Sequence, residues 1–136
     1  MSEAAGLRQI AVVGAVVVRD GKVLAAQRGG NGPLAGLWEF PGGKIEPSES
    51  AREALEREVA EELNCVVEVG GEITTTVHAY DFAEITLTTF FCALVDGEPT
   101  LTEHTAVRWL LPRDLDSLEW APADVPTVAL VKATIA

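Results

Sequence analysis

The chain has 136 residues, 48% of them hydrophobic and 23% charged, an ordinary globular mixture that argues against disorder and predicts one domain over 1–136. The formal net charge of −11 argues against binding of DNA or RNA polymers, and a phosphorylated substrate would need a recruited cation. The apolar run from Ile10 to Val18 is too short to cross a bilayer and is followed by Arg19-Asp20-Gly21, so we expect no signal peptide, no membrane segment and a cytoplasmic protein.

The first third of the chain predicts a hairpin followed by a glycine-rich loop. Residues 1–7 are expected to form a loose tail. Strands are predicted at 10–18 and 23–27, joined through Asp20-Gly21, a dipeptide typical of tight hairpin turns. Residues 28–37 contain four glycines, one proline and one asparagine, which favours a loop. A short strand is expected at 38–40, ended by Pro41-Gly42-Gly43.

A helix is predicted from Ser50 to Leu63. Ser50 and Glu53 have the spacing of a capping box, in which each side chain satisfies a free backbone N–H of the other residue. Leu55, Val59 and Leu63 recur every four residues and predict one buried stripe. Asn64 follows the last apolar position and can adopt the left-handed conformation that often ends a helix.

The second half of the chain is predicted to be mostly strand, closed by a helix. Segments rich in Val, Ile, Thr and Phe lie at 66–69, 73–78, 85–95 and 107–110, with Gly70-Gly71 and Asp96-Gly97 between them. A helix is expected at 125–135, with Asp124 as its N-cap. Cys65 and Cys92 lack metal-type spacing and are expected to be buried free thiols. The order of elements predicts an α/β/α sandwich with a central mixed β-sheet.

The predicted helix carries a cluster of carboxylates. Glu58, Glu61 and Glu62 fall within about a third of its circumference, where like charges repel one another. A hard divalent cation such as Mg²⁺ would remove this repulsion, because it prefers carboxylate oxygens combined with phosphates and waters. The alternative is an ordinary solvated face, with Arg57 in an i,i+4 pair with Glu53 or Glu61.

The residues upstream of the helix separate these alternatives. Phe40-Pro41-Gly42-Gly43-Lys44 predicts a glycine turn whose backbone groups can meet a metal ion or phosphate. The chain then reads Gly-x5-Glu-x7-Arg-Glu-U-x-Glu-Glu, where U is aliphatic, over Gly43, Glu49, Arg57, Glu58, Val59, Glu61 and Glu62. This pattern resembles the Nudix box of hydrolases that cleave nucleoside diphosphate linkages. Asn64 stands where the family pattern has glycine, a departure that leaves the catalytic positions intact.

The resemblance extends beyond the box. The segment 37–46, which contains Leu-Trp-Glu-Phe-Pro-Gly-Gly-Lys, is similar to the MutT-like branch of the family, which acts on nucleoside triphosphates. The segment Trp-Ala-Pro-Ala-Asp at 120–124 is similar to the subgroup of CTP/dCTP pyrophosphohydrolases acting on oxidised or methylated nucleotides. The Nudix fold, an α/β/α sandwich, is implied by the same resemblance.

The resemblance also implies roles for individual residues. Glu58 and Glu62 are expected to bind Mg²⁺, or Mn²⁺ in its place, together with Glu61, the carbonyl of Gly42 and the distal Glu103. Arg57 is expected to brace a catalytic glutamate through a bidentate pair. Glu58 is the first candidate for the base that deprotonates water, with Glu103 and Glu49 as alternatives.

Five residues are expected to bind the nucleotide. Arg28 and Lys44 are candidates for the phosphate oxygens, because isolated cations beside the glycine turn stand out in an acidic protein. By resemblance, Tyr80 provides a stacking surface, Asp124 reads the base edge, and backbone groups near Phe40 assist. An ionised aspartate only accepts hydrogen bonds, which suits the amine of cytosine but also the N–H groups of guanine.

The sequence therefore predicts hydrolysis of CTP, dCTP or a 5-substituted dCTP to the monophosphate and pyrophosphate, by a monomer or homodimer. The alternatives are 8-oxo-dGTP, a nucleotide sugar or dinucleotide, a non-catalytic nucleotide-binding Nudix module, or a plain acidic structural domain. The MutT-like segment disfavours the nucleotide sugar and the dinucleotide. The complete set of box glutamates disfavours the non-catalytic module.

Overall fold

The computed structural model describes residues 8–100 and 106–135, and within them seven strands form one sheet. The elements are, in chain order, β1 Gln9–Arg19, β2 Lys22–Gln27, β3 Trp38–Glu39, β4 Gly42–Lys44, α1 Ala51–Leu63, β5 Val66–Ala79, β6 Glu84–Asp96, β7 Ala106–Leu110 and α2 Val125–Ile135. Two short 3-10 helices, Pro112–Ser117 and Pro122–Asp124, precede α2. The expected tail at 1–7 lies outside the described residues and stays a prediction.

The sheet is mixed because β1 has neighbours running in both directions. β1 is antiparallel to β2 and β4, and it is parallel to β6 over ten residue pairs from Gln9↔Glu84 to Val18↔Ala93. The order across the sheet is β3-β2-β1-β6-β5, with β4 paired to β1 and β7 paired to β2. The predicted hairpin is confirmed, and its turn places Asp20 and Gly21 at φ 53° and 75°, the left-handed region that such turns require.

The two faces of the sheet carry separate cores. One is formed with α1 and contains Val13, Val17, Leu24, Leu55, Val59 and Leu63. The other is formed with α2 and the 3-10 segments and contains Val16, Trp38, Leu115, Trp120, Val128 and Val131. Neighbouring β1 residues divide between the two cores because side chains alternate along a strand. The predicted α/β/α sandwich is thereby confirmed.

The ends of α1 are fixed as its sequence predicts. The Ser50 Oγ accepts the Glu53 N–H at 3.1 Å, and Glu53 Oε1 accepts the Ser50 N–H at 2.8 Å, which completes the capping box. At the other end Asn64 adopts the left-handed conformation, with φ 54° and ψ 40°, and its N–H donates to Ala60 O. These caps define where the carboxylate-bearing face of the helix begins and ends.

Two predictions about glycines were wrong. Residues 66–69 and 73–78 belong to a single strand, β5, because register shifts between Val69 and Thr74 form a bulge that absorbs Gly70 and Gly71 without ending the pairing. The Arg52 guanidinium donates to the carbonyls of Val69 and Gly70 at 2.6 and 2.8 Å, which attaches α1 to this bulge. The expected break at Pro41-Gly42-Gly43 also contains a strand, since β4 pairs Gly42 with Gly14 of β1.

The two cysteines are buried free thiols, as predicted. Burial raises the pKa of Cys92 to about 12, so this thiol stays protonated. No helix within 8–100 and 106–135 has the length and apolar character needed to span a membrane.

Candidate active site

A cavity of about 580 Å³ joins the glutamate face of α1 to the 3-10 turn that precedes α2. Its walls come from β1, β4, β6 and α1, from the loops around them, and from the segment before α2. Eight of the predicted site residues line it: Arg28, Phe40, Gly42, Lys44, Glu58, Glu62, Tyr80 and Asp124. Arg57, Glu49 and Glu61 lie outside this lining, and Glu103 lies outside the described residues. The structure therefore gathers most of the predicted metal-binding and nucleotide-binding residues around one space.

The backbone of β4 lies directly against the Glu58 carboxylate. A Cβ atom on Gly43 would overlap both carboxylate oxygens of Glu58, and a Cβ on Gly42 would overlap the carbonyl of Val13. At Gly42 only glycine fits, because the overlap is with the backbone of β1; at Gly43 a larger residue would require the Glu58 carboxylate to move away. The glycine pair of the motif thus allows Glu58, whose side chain is only 15% exposed, to lie against the strand that lines the cavity.

Arg57 is the centre of a carboxylate network. Its Nε and Nη2 donate to the two oxygens of Glu49 at 2.6 and 2.8 Å, a bidentate pair, and its Nη1 donates to Glu58 Oε1 at 2.9 Å. Nη2 also donates to the carbonyl of Lys44 at 3.1 Å. The hydrogen bonds from Arg57, with one from the Glu46 N–H, hold the pKa of Glu49 at about 2. Arg57 therefore links the loop before α1 to the helix that carries Glu58.

The three glutamates predicted to share a metal ion do not converge. Glu58 and Glu62 line the cavity, whereas Glu61 is 60% exposed and its Oε2 lies 3.4 Å from Arg57 Nη1. Among the residues that the structure describes, no group of three Asp, Glu, His or Cys side chains is close enough to hold an ion. Two carboxylates beside a glycine backbone still fit Mg²⁺, which uses one or two carboxylates and takes its other ligands from waters and substrate phosphates.

Cationic side chains border the same cavity. Arg28 Nη1 donates to Glu39 Oε1 at 3.0 Å, and Lys44 follows the glycine pair on β4. Arg8, just before β1, also lines the cavity, a position to which the sequence analysis gave no role. These cations counter the carboxylates locally, in a protein whose overall charge would repel a polyphosphate.

Asp124 is buried in the cavity wall, only 6% exposed, and its Oδ2 accepts the Phe40 N–H at 3.0 Å. The segment before it runs along β3, with hydrogen bonds from Trp38 N–H to Glu119 O and from Ala121 N–H to Trp38 O. The predicted N-cap role was wrong, because Asp124 is the last residue of a 3-10 helix continuous with α2 and its side chain bonds to Phe40 instead.

The protonation of Asp124 also differs from the expectation of an ionised aspartate. Burial raises the pKa of this carboxyl to about 8, while the Phe40 N–H opposes the rise. Glu39 adds to the rise and Arg28 reduces it. The carboxyl is consequently mostly neutral at pH 7, so it carries an O–H donor as well as an acceptor oxygen.

Tyr80 borders the cavity near Asp124. Its hydroxyl oxygen accepts the Ala123 N–H at 2.8 Å, and its ring stacks on that of Phe82. Phe82 also lines the cavity and was missed by the sequence analysis. The available signal was an aromatic residue in the short turn between two predicted strands, where polar residues are usual.

Comparisons with a protein family, with known proteins and with a solved structure each cover most of the chain. The family model described as the NUDIX domain matches residues 8–131. The chain is 40% identical over 120 residues to the CTP pyrophosphohydrolase of Escherichia coli (88% of this chain, 89% of that protein). It is 39% identical over 140 residues to a Mycobacterium tuberculosis protein named "Putative 8-oxo-dGTP diphosphatase 2" (95% and 92%). The crystal structure of a MutT NUDIX hydrolase from Burkholderia pseudomallei is similar, with a TM-score of 0.83, 28% identity and coverage of 91% and 98%.

Proposed function

This chain belongs to the NUDIX family, as a MutT-like Nudix hydrolase, and we propose that it converts CTP, dCTP or a 5-substituted dCTP to the monophosphate and pyrophosphate. The observation that carries the proposal is the single cavity in which Glu58 and Glu62 line the same space as the buried Asp124. One part of this space suits a metal-bound polyphosphate and the other suits a base. The proposal also places the enzyme in the cytoplasm, as a monomer or homodimer.

Enzymes of this family generally need a divalent metal ion. The residues proposed to hold Mg²⁺, or Mn²⁺ in its place, are Glu58, Glu62 and the carbonyl of Gly42, with Glu61 and Glu103 as further contributors. When bound, the ion neutralises phosphate charge and lowers the pKa of water. These ligands fit Mg²⁺ because they are hard oxygens that leave coordination positions for phosphate.

The residues around the metal ligands are proposed to bind and activate the reactants. Arg28 and Lys44 bind phosphate oxygens, and a water attacks the β-phosphorus. Glu58 takes the proton from this water, since Arg57 holds both oxygens of Glu49 but only Oε1 of Glu58. Arg57 positions Glu58 and anchors Glu49.

The neutral state of Asp124 supports cytosine as the preferred base. The O–H of a neutral carboxyl can donate to cytosine N3 while a carboxyl oxygen accepts from the N4 amine. Guanine read along its N1–H and N2–H groups presents two donors, which match an ionised carboxylate instead. The similarity to the CTP pyrophosphohydrolase of Escherichia coli favours the same choice. The second candidate is 8-oxo-dGTP, which the similarity to the Mycobacterium tuberculosis protein favours.

A substrate panel tests the proposal. Wild type and Glu58→Gln are incubated with Mg²⁺ and CTP, dCTP, 5-methyl-dCTP or 8-oxo-dGTP, and pyrophosphate release is measured. Glu56→Gln is the matched control, because Glu56 is an exposed glutamate of the same helix outside the cavity lining. We expect wild type and Glu56→Gln to hydrolyse the cytidine nucleotides fastest and Glu58→Gln to lose activity. The substrate class is wrong if wild type cleaves none of the four, and the role of Glu58 is wrong if Glu58→Gln is fully active.

A further inference from the structure

We propose that Phe82 is a substrate-binding residue of this cavity, whose aromatic ring stacks on the nucleobase at the rim and sets nucleotide affinity independently of which base is bound. This inference rests on the proposed function and deepens it. It divides recognition of the base between two residues, with Phe82 contacting the ring face and Asp124 contacting the edge.

Phe82 is an exposed aromatic at a binding cavity. It lies in the turn between β5 and β6, its side chain lines the cavity, and the residue remains 44% exposed. A single exposed apolar side chain is unremarkable on a protein surface. Phe82 differs because it lies in the wall of the proposed nucleotide site, where the exposed part of its ring is available to a ligand.

The neighbouring aromatic rings leave Phe82 as the ring open to a ligand. The rings of Phe82 and Tyr80 are parallel, with an interplanar angle of 7° and centroids 5.1 Å apart. Tyr80 also contacts the ring of His78, at a centroid distance of 4.6 Å and an angle of 54°. Tyr80 therefore already contacts two aromatic rings, and a base entering the cavity would extend the stack by adding to Phe82.

Hydrogen bonds hold this stack in place relative to Asp124. The Tyr80 N–H donates to Ala83 O at 2.9 Å, which closes the turn that carries Phe82. The Tyr80 hydroxyl accepts from the N–H of Ala123, the residue next to Asp124. The stacked rings of Phe82 and Tyr80 are thus linked to the segment that carries the Asp124 carboxyl through two hydrogen bonds. These bonds limit the relative motion of the rings and the carboxyl, which lowers the entropy cost of binding a base.

The surroundings of Phe82 favour a flat, weakly polar group. Ile10 and Ile85 are register partners on the parallel strands β1 and β6, and both line the cavity. They form an apolar part of the lining, whereas the glutamates, the glycine pair and Lys44 form a polar part of it. A nucleobase fits the apolar region because every base has a face that can stack on an aromatic ring.

Stacking of this kind predicts a specific kinetic signature. A contact made equally in the ground state and the transition state changes KM and leaves kcat unchanged. Because stacking tolerates all bases, loss of the ring should raise KM by a similar factor for each nucleotide.

The test compares Phe82→Ala, Phe82→Leu and Phe82→Trp with wild type, using CTP, dCTP and 8-oxo-dGTP with Mg²⁺. Val77→Ala is the matched control, since Val77 is a 60% exposed apolar residue of β5 outside the cavity lining. Inhibition constants for CMP and inorganic pyrophosphate are measured alongside KM and kcat. Thermal unfolding of each variant detects any general loss of structure.

We expect Phe82→Ala to raise KM about 5- to 30-fold for every nucleotide with kcat within about twofold, on the scale of one lost base–aromatic stack. CMP inhibition should weaken by the same factor and pyrophosphate inhibition should not change. Phe82→Trp should retain wild-type affinity, and Phe82→Leu should resemble Phe82→Ala. An unchanged KM in Phe82→Ala, or a Phe82→Leu variant equal to wild type, overturns the inference while the proposed function stands. A wild type that hydrolyses no nucleotide in the panel overturns both.

Discussion

The protonation of Asp124 predicts that base preference changes with pH. With a pKa of about 8, about 90% of this carboxyl is neutral at pH 7 and only about 10% at pH 9. The neutral form pairs with the amine and N3 of cytosine, whereas the ionised form pairs with two N–H donors of guanine. The ratio of neutral to ionised carboxyl falls from about 10 at pH 7 to about 0.1 at pH 9, so the kcat/KM for dCTP relative to that for dGTP should fall by up to about 100-fold.

The ratio of the two nucleotides is the quantity to measure. Titration of the metal ligands, the general base and the phosphates affects both substrates, so these effects cancel and the ratio reports the base-reading group. The charged and titratable groups around Asp124 are Glu39, Arg28 and Tyr80, and Tyr80 is held un-ionised because burial raises its pKa above the usual range. The assay is initial-rate pyrophosphate release at several pH values from about 6 to about 9.

Asp124→Asn provides the control, since asparagine carries a donor and an acceptor at every pH in this range. Its ratio of kcat/KM values should not vary with pH. The reasoning is refuted if the wild-type ratio is flat across the range, or if Asp124→Asn shows the same slope as wild type.

Three further predictions follow from the site. The pKa of Asp124 is raised on folding, so between about pH 4 and 8 the folded state holds a proton that the unfolded state releases. The free energy of unfolding should therefore fall as pH rises through this window, by up to roughly 1.4 kcal/mol per pH unit. Because asparagine does not titrate, Asp124→Asn should raise Tm more at pH 8 than at pH 5. Gly43→Ala should displace the Glu58 carboxylate and lower kcat by at least about 100-fold with little change in the circular dichroism spectrum; a fully active variant would contradict the close packing of β4. Arg57→Lys keeps the charge but loses the bidentate pair with Glu49, so kcat should fall about 10- to 100-fold, and a change confined to KM would argue against a positioning role.

The elements that the sequence predicts well have strong local signals. The capping box at Ser50 and Glu53, the stripe at Leu55 and Val59 and the turn at Asp20-Gly21 each depend on neighbouring residues only. The core strands follow from β-branched runs, because both faces of the central strands are covered. The box spacing places Glu58 and Glu62 on one helix face, which the cavity lining bears out.

The features that the sequence could not predict depend on long-range contacts. Asp124 stands in the sequence where a helix cap is expected, but its partner is the N–H of Phe40, 84 residues away. Burial raises its pKa, and the residues next to Asp124 in the sequence carry no pattern that predicts this burial. Glu61 lies outside the cavity lining, with its carboxylate 3.4 Å from the Arg57 guanidinium, a side-chain placement that the spacing of the glutamates does not determine.

The bulge in β5 has a consequence for tolerance to changes in chain length. Arg52 donates to the carbonyls of Val69 and Gly70, and its guanidinium lies 5.5 Å from the centre of the Phe90 ring, so the first turn of α1 is anchored to the irregular part of an outer strand. Between the pairs Val69↔Cys92 and Glu72↔Phe90, β5 advances three residues while β6 advances two, so deleting one residue at Gly70-Gly71 would remove this irregularity and leave the following pairs in register. The deletion would also change the backbone path that presents the Val69 and Gly70 carbonyls to Arg52. The glycine pair lies outside the cavity lining, yet the backbone shape that it allows is what attaches the first turn of α1 to the sheet.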